Sequence, residues 1–333
     1  MTELLKADHL TRHFKIGGAA ARSTLHAVDD VSFSIGEREI VALAGESGSG
    51  KSTVARLLAR LYKPTSGQVL YDGKPTRQIR SRKDALRYSS QVPMVFQDPF
   101  SSLNPVFRVS HGVLRSLKLH RPELSAAERA AEAERVFSVV GLGADMLGRY
   151  PHELSGGQRQ RVGFAQALAT KPRLILADEP VSMLDVSIRI GLLNMMARLR
   201  DSEGVSILYI THDIASARYV ADRLIVMYAG QIVEAGPIED VLADPRHPYT
   251  QLLLSAVPDP KAPPPSDAAV AAASGERGEP PKVIDPLPGC RFRPRCPVAI
   301  EKCATVTPLL SPVAGGAAAC HVAQAGEDVE AFS

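Results

Sequence analysis

The chain has 333 residues, enough for two or three compact units with real cores, and its balance of 45% hydrophobic to 23% charged residues is that of an ordinary soluble globular protein. A formal net charge of +3 gives no argument for nucleic acid as a partner, and no apolar run is long enough to span a bilayer. Met1-Thr2-Glu3-Leu4-Leu5-Lys6 lacks the apolar core of a signal peptide, so a cytoplasmic protein that reaches a membrane only through partners is expected.

Val31, Phe33 and Ile35 alternate with polar or small residues, which predicts a half-buried antiparallel strand. The apolar run Ile40-Val41-Ala42-Leu43-Ala44 follows, and then Gly45-Glu46-Ser47-Gly48-Ser49-Gly50-Lys51-Ser52, a match to G-x-x-x-x-G-K-[ST]. Thr53 opens a helical stretch through Leu58, completing the strand–loop–helix context of a phosphate loop. Glycines let backbone N–H groups approach the phosphates, and the helix end behind them carries partial positive charge. Lys51 supplies a point charge for the β/γ oxygens and Ser52 a hydroxyl for the metal.

Residues 99–158 read as helical. Ser125-Ala126-Ala127-Glu128 is a capping box that opens a helix ending near Gly141. Leu154-Ser155-Gly156-Gly157-Gln158 lies at the far end of this insert, with Ser155 placed to cap a helix from Gln158 to about Ala169, a second anion-binding helix end. Residues 159–236 return to alternating helices and strands, which predicts a mainly parallel core sheet. There Leu174-Ile175-Leu176-Ala177 is a short buried strand running into Asp178 and Glu179. Such an acidic pair beside a phosphate loop can hold Mg²⁺ with one carboxylate and polarise a water with the other.

A phosphate loop with Leu-Ser-Gly-Gly-Gln about a hundred residues later resembles the ATP-binding subunit of an ABC transporter. The resemblance implies an α/β fold: a P-loop NTPase cassette with a RecA-like core, an antiparallel β subdomain and a helical subdomain at about 99–158. It makes Asp178 the magnesium-side aspartate, Glu179 the catalytic base, Gln97 the Q-loop glutamine, His212 the switch histidine, and Ser182-Met183-Leu184-Asp185 the D-loop. Magnesium would lie on Ser52, Gln97 and Asp178. Phe14, where the family carries an aromatic, would stack on adenine, an ordinary core position being its other reading. The signature Leu154 to Gln158 would close on the ATP of a partner subunit, two cassettes sandwiching two nucleotides head to tail.

The boundaries expected are 1–237 for the ATP-binding domain and 238–333 for an extension, with a proline- and alanine-rich linker at about 258–288. All four cysteines lie in the extension, Cys290, Cys296, Cys303 and Cys320, spaced C-x5-C-x6-C-x16-C. A cytosolic location disfavours disulfides, and four thiolates suit zinc or an iron–sulfur cluster. Gly289-Cys290-Arg291-Phe292-Arg293-Pro294-Arg295-Cys296-Pro297, with Pro245-Arg246-His247-Pro248-Tyr249-Thr250 upstream, looks like the oligopeptide/dipeptide/nickel importer subfamily, whose members can hold a [4Fe–4S] cluster on this motif. Lys51-Ser52-Thr53, Lys63-Pro64-Thr65-Ser66-Gly67 and the run Asp98 to Pro105 are in the style of its second, F-type ATPase.

The resemblance implies ATP and Mg²⁺ as ligands, and as partners a second ABC ATPase in a hetero- or homodimer, two permease subunits and, indirectly, a periplasmic or extracellular solute-binding protein. It places the chain peripherally on the cytoplasmic face of the inner membrane. Peptides are the expected cargo, with oligosaccharides, glycosides or nickel complexes as the alternatives. A soluble ABC ATPase acting on nucleic acid or the ribosome is the competing class. The roughly 56 residues between Gln97 and Leu154 leave no room for the long coiled coil of chromosome-maintenance types, and a single cassette does not match the paired cassettes of translation and repair types.

Overall fold

The computed structural model describes residues 3–17, 23–98, 103–255 and 283–326. Its centre is an eight-stranded sheet in the order β11-β12-β10-β9-β3-β8-β7-β6. The parallel part joins β9 (Arg223–Tyr228), β3 (Ile40–Ala44), β8 (Ser206–Thr211), β7 (Leu174–Asp178) and β6 (Met94–Val95). Every residue of β3, β7 and β8 is buried, as interior strands covered on both faces must be. The pleat sends Ile40, Ala42 and Ala44 to one core and Val41 and Leu43 to the other.

The second of these cores is closed by a four-stranded antiparallel sheet in the order β2-β1-β4-β5: β1 (Glu3–Ile16), β2 (Ser23–Gly36), β4 (Ser66–Tyr71) and β5 (Lys74–Pro75). Val31, Phe33 and Ile35 are its buried alternation, as their pattern predicts. Helix α1 (Lys51–Leu58) runs between the sheets, and α2 (Arg82–Gln91) precedes β6.

Among the described residues the insert carries the α-helices α3 (Val109–His120), α4 (Ala126–Val139) and α5 (Gly156–Leu168). The Ser125–Glu128 capping box opens α4. Helix α5 starts two residues earlier than expected: Ser155 is its cap, its hydroxyl accepts the Gln158 N–H, and the Gln158 side chain accepts the Ser155 N–H. Gly156 and Gly157 therefore form the first helical turn instead of a loop before it. The remaining helices of the parallel half are α6 (Val186–Glu203) and α7 (Ile214–Val220).

The cysteine-bearing extension is built into the main body. Strand β10 (Gln231–Pro237) pairs antiparallel with β9 on one side and with β12 (Gly316–Ala318) on the other, and β11 (Ser311–Val313) completes a hairpin with β12 at the sheet's edge. Short helices α8 (Ile238–Ala243), α9 (Pro248–Ser255) and α10 (His321–Gln324) surround this edge. Residues 258–282 of the expected linker lie outside the described residues. Its last part runs along β2, where Val283 accepts the His26 N–H and Ile284 bridges Leu25.

Tyr249 and Phe292 are buried against Tyr228, with ring centroids 4.6 and 5.2 Å from it, so the extension shares the core of the sheet. His247 is buried beside them, and its Nδ1 accepts the Tyr249 N–H. Burial pushes its pKa down from 6.5 to about 3, so the ring is neutral in the folded protein. The unfolded chain binds a proton that the folded chain refuses. Stability is therefore full above pH 6.5 and is lost as pH falls toward 3, at up to about 1.4 kcal/mol per pH unit. Urea midpoints measured across this range should fall steeply for the native chain and more gently for His247→Gln; equal slopes would assign the acid sensitivity elsewhere.

Candidate active site

Four parallel strands deliver the candidate residues at one edge of the sheet. Strand β3 runs into Gly45, β6 reaches Gln97 through Phe96, β7 ends in Asp178 and Glu179, and β8 leads into His212. Ligands of open parallel sheets bind at the carboxyl ends of strands.

Three of these side chains meet on one carboxylate. Gln97 Nε2 donates to Glu179 Oε2 at 3.0 Å, and His212 Nδ1 lies 3.2 Å from the same oxygen. Glu179 has φ 45°, in the left-handed region, although its N–H still donates to Ile210. A non-glycine residue held there costs of order 1–3 kcal/mol, and such strain gathers at functional sites. Its carbonyl accepts the Ser182 hydroxyl at 3.0 Å, which ties the expected D-loop serine to the same turn.

Beside this trio Ser52 Oγ donates to Asp178 Oδ1 at 2.9 Å. Burial raises the Asp178 pKa, against the Ser52 hydrogen bond, which lowers it. A hydroxyl and a poorly solvated carboxylate are hard oxygen donors suited to Mg²⁺. Gln97, the third expected magnesium contact, is turned to Glu179 instead.

Lys51 is buried and its Nζ donates to the carbonyls of Gly45 and Glu46 at 2.7 and 2.8 Å. Desolvation lowers its pKa, while Glu179, Asp178 and Glu46 act in the other direction. Gly50 caps α1 at φ 106°, and a β-carbon there would stand 2.2 Å from the Ala27 carbonyl oxygen, so only glycine closes this turn. Ser47, Gly48 and Ser49 complete the loop and Thr53 enters the helix.

Leu154 is buried in the helical core, and the first turn of α5 packs on Leu184 of the expected D-loop and on Ile188 of α6. Phe14 is half-buried on β1, edge-on to Tyr62 and covered by the Arg12 guanidinium at 4.4 Å from its centroid. Asp185 caps α6 without a side-chain cap bond, and Arg189 on that helix reaches Asp213, beside His212, at 3.0 Å.

The four cysteines are unbridged and line one cleft with Phe292 and His247. Burial raises the thiol pKa of Cys290, Cys296 and Cys320, that of Cys296 to about 11. No three sulfurs lie mutually within 4.8 Å, whereas tetrahedral zinc requires about 3.8 Å between thiolates. The space among them is about 10 Å³, roughly that of one water. The donor set suits a metal centre; the arrangement is not that of an assembled one.

Two residues far from the phosphate loop in sequence complete it. The Glu46 N–H donates to the Tyr249 hydroxyl at 2.8 Å, and Arg295 donates two hydrogen bonds to the Glu46 carboxylate at 3.0 and 3.1 Å. Both come from the extension, after residue 237. Tyr249 and Arg295 stand within the two runs that resemble the oligopeptide/dipeptide/nickel importer subfamily, but nothing local names their partner.

Fold and site together define a nucleotide-binding cassette of the phosphate-loop class. The family described as "ABC transporter" matches residues 28–182, and "Oligopeptide/dipeptide transporter, C-terminal region" matches residues 233–303. Over 325 residues the chain is 43% identical to a probable peptide ABC transporter ATP-binding protein, y4tS, of Sinorhizobium fredii, covering 96% of this chain and 90% of that one. It is 44% identical over 261 residues to the oligopeptide transport ATP-binding protein OppF of Bacillus subtilis, covering 78% and 84%. The dimeric post-hydrolysis structure of the ATP-binding cassette MJ0796 with ADP and Pi superposes with a TM-score of 0.63 at 30% identity, over 71% of this chain and 99% of that one. The chain belongs to the ATP-binding proteins of the ABC transporter family, and it is an ATPase whose hydrolysis powers transport.

The close packing at the signature gives a direct test. A β-carbon at Gly157 would lie 2.3 Å from Ile188 Cγ2. Gly157→Ala should destabilise the cassette by about 1–3 kcal/mol in chemical unfolding, and Ile188→Ala in the same chain should recover part of the loss. Losses that simply add would show that Ile188 is not the obstacle.

Proposed function

We propose that this chain is the F-type ATP-hydrolysing subunit of an importer for peptides, working peripherally on the cytoplasmic face of the inner membrane. The observation that carries the proposal is the convergence of Gln97 and His212 on Glu179 beside the Ser52–Asp178 pair. The peptide cargo rests on the names of the relatives and on the match of the extension. No helix among the described residues is long and apolar enough to cross a membrane; in this reading two permease subunits and a second ABC ATPase are its partners.

In this reading Phe14 stacks on adenine, and the loop from Gly45 to Thr53 cradles the phosphates through backbone N–H groups, with Lys51 adding its charge. Ser52 and Asp178, with Gln97, would hold Mg²⁺, which would supply neutralising charge to the phosphoryl oxygens. Glu179 accepts the proton of the attacking water, and His212 contacts the γ-phosphate. Leu154, Ser155, Gly156, Gly157 and Gln158 act on the nucleotide of a second cassette, with Ser182 and Asp185 at that junction.

A groove of about 350 Å³ lies on the helical insert beside Leu103, Phe107, His111 and Leu119. Val106 is 73% exposed next to it, an apolar rim suited to a permease segment. Residues 99–102 of the neighbouring loop lie outside the described residues. A solute-binding protein joins only through the permeases. The domain reading keeps 1–237 as the ATPase and 238–333 as the extension.

Glu179→Gln should keep ATP binding while hydrolysis in the assembled complex falls by about a hundredfold or more, and Lys51→Ala should lose binding itself. Near-native turnover by Glu179→Gln would remove Glu179 from the role of base.

We also propose that Cys290, Cys296, Cys303 and Cys320 hold a [4Fe–4S] cluster, on the ground that four free thiols line one cleft. Anaerobically isolated protein should carry about four iron and four sulfide per chain. Stoichiometric zinc without sulfide would make the module a zinc site, and metal-free protein with an ordered extension would overturn both readings.

A further inference from the structure

Glu46 is an unusual burden for a loop that must receive a polyanion. Its carboxylate stands in the phosphate loop itself, and the chain fixes it at three points. Its N–H is held by the Tyr249 hydroxyl, its carbonyl by the Lys51 ammonium, and its carboxylate by both arms of Arg295. Two of those three groups come from the extension, one from each side of the undescribed stretch at 256–282.

Arg295 is itself set in place by its surroundings. It ends a 3₁₀ turn, Arg293–Arg295, that is framed by Cys290 and Cys296, and its N–H donates to Phe292 at 2.9 Å. The guanidinium carbon lies 5.8 and 5.9 Å from the Tyr228 and Phe292 ring centroids, within cation–π range. Arg291, just ahead of that turn, donates to the Ala229 carbonyl at 2.6 Å and pairs with Asp29, two residues beyond Ala27, whose carbonyl abuts Gly50. The side chain of Arg295 is only 14% exposed and that of Glu46 26%, so the pair is poorly screened by solvent.

We infer that Arg295 and Tyr249 are positioning residues for the phosphate loop, through which the cysteine module sets how tightly the cassette holds ATP. Arg295 cancels the Glu46 charge where the phosphates arrive and anchors the loop at a fixed distance from the module. Tyr249 takes the Glu46 N–H out of use as a phosphate donor and leaves later N–H groups of the loop to that task. If the turn between Cys290 and Cys296 loosens, the loop gains an uncompensated negative charge and loses its brace together. The inference rests on the reading of this loop as the ATP site.

The test is calorimetric binding of ATPγS with Mg²⁺ to the full chain. Wild type should bind and Lys51→Ala should not; failure of wild type to bind would overturn the ATP-site reading itself. Arg295→Ala should raise Kd about tenfold, within the range for groups sharing one hydrogen-bonded network. Adding Glu46→Gln to it should restore part of the affinity, because the stranded carboxylate is gone. A merely structural Arg295 would instead make the two losses compound, and that result, or an unchanged Kd in Arg295→Ala, overturns the inference. Tyr249→Phe keeps the ring in the core, so it tests the clamp in a chain that folds; it should raise Kd several-fold, and an unchanged value removes Tyr249. Cys296→Ser should weaken binding in the native background and add little to Arg295→Ala; equal losses in both backgrounds would disconnect the module from the loop.

Discussion

A parallel strand covered on both faces can offer polar groups only at its ends. Strands β3, β7 and β8 are buried along their whole length, so side chains with chemistry to perform are confined to their carboxyl ends, at Asp178 and the residues just beyond Ala44, Asp178 and Thr211. The pairing of these neighbouring strands then brings those residues together without any further device. Glu179 meets Gln97 and His212 because of where β6, β7 and β8 stop. The strained backbone at Glu179 is the visible cost of turning the chain sharply while its carboxylate stays aimed at that edge.

The electrostatics follow from the same geometry. Lys51, Asp178 and Glu179 share a partly desolvated region, where Asp178 is pushed toward protonation and Lys51 toward neutrality. Burial causes both shifts, and the opposite charges nearby offset it only in part, an imbalance for each group between lost hydration and the partners present. A polyanion with a divalent cation answers both imbalances, the cation meeting Asp178 and the phosphates meeting Lys51.

Much of this was legible in the sequence because it is encoded locally. The phosphate loop lies within eight consecutive residues, and the alternation of Val31, Phe33 and Ile35 directly reports a half-buried strand. The start of α5 was misplaced because two glycines argue against helix, although the reciprocal Ser155–Gln158 bonds override that preference. The attachment of the extension was not legible. Strand β12 is Gly316-Ala317-Ala318, too short and too small to show periodicity, and it finds Glu234 and Ala235 on β10 more than eighty residues back. Glu46 and Arg295 are likewise ordinary charges until folding makes them neighbours. The unassembled spacing of the cysteines could not be read from the number of residues between them.

The separation of 249 residues between Glu46 and Arg295 also orders events during synthesis. At about 5–20 residues per second, a ribosome needs on the order of 12–50 s to travel from one to the other. Through that interval the glycine-rich loop and its parallel strands can form, yet the last partner of Glu46 has not been made. The nascent cassette is therefore finished from its carboxyl end backward into its oldest motif, and a chain released early carries the whole signature of a nucleotide site without the residue that completes it.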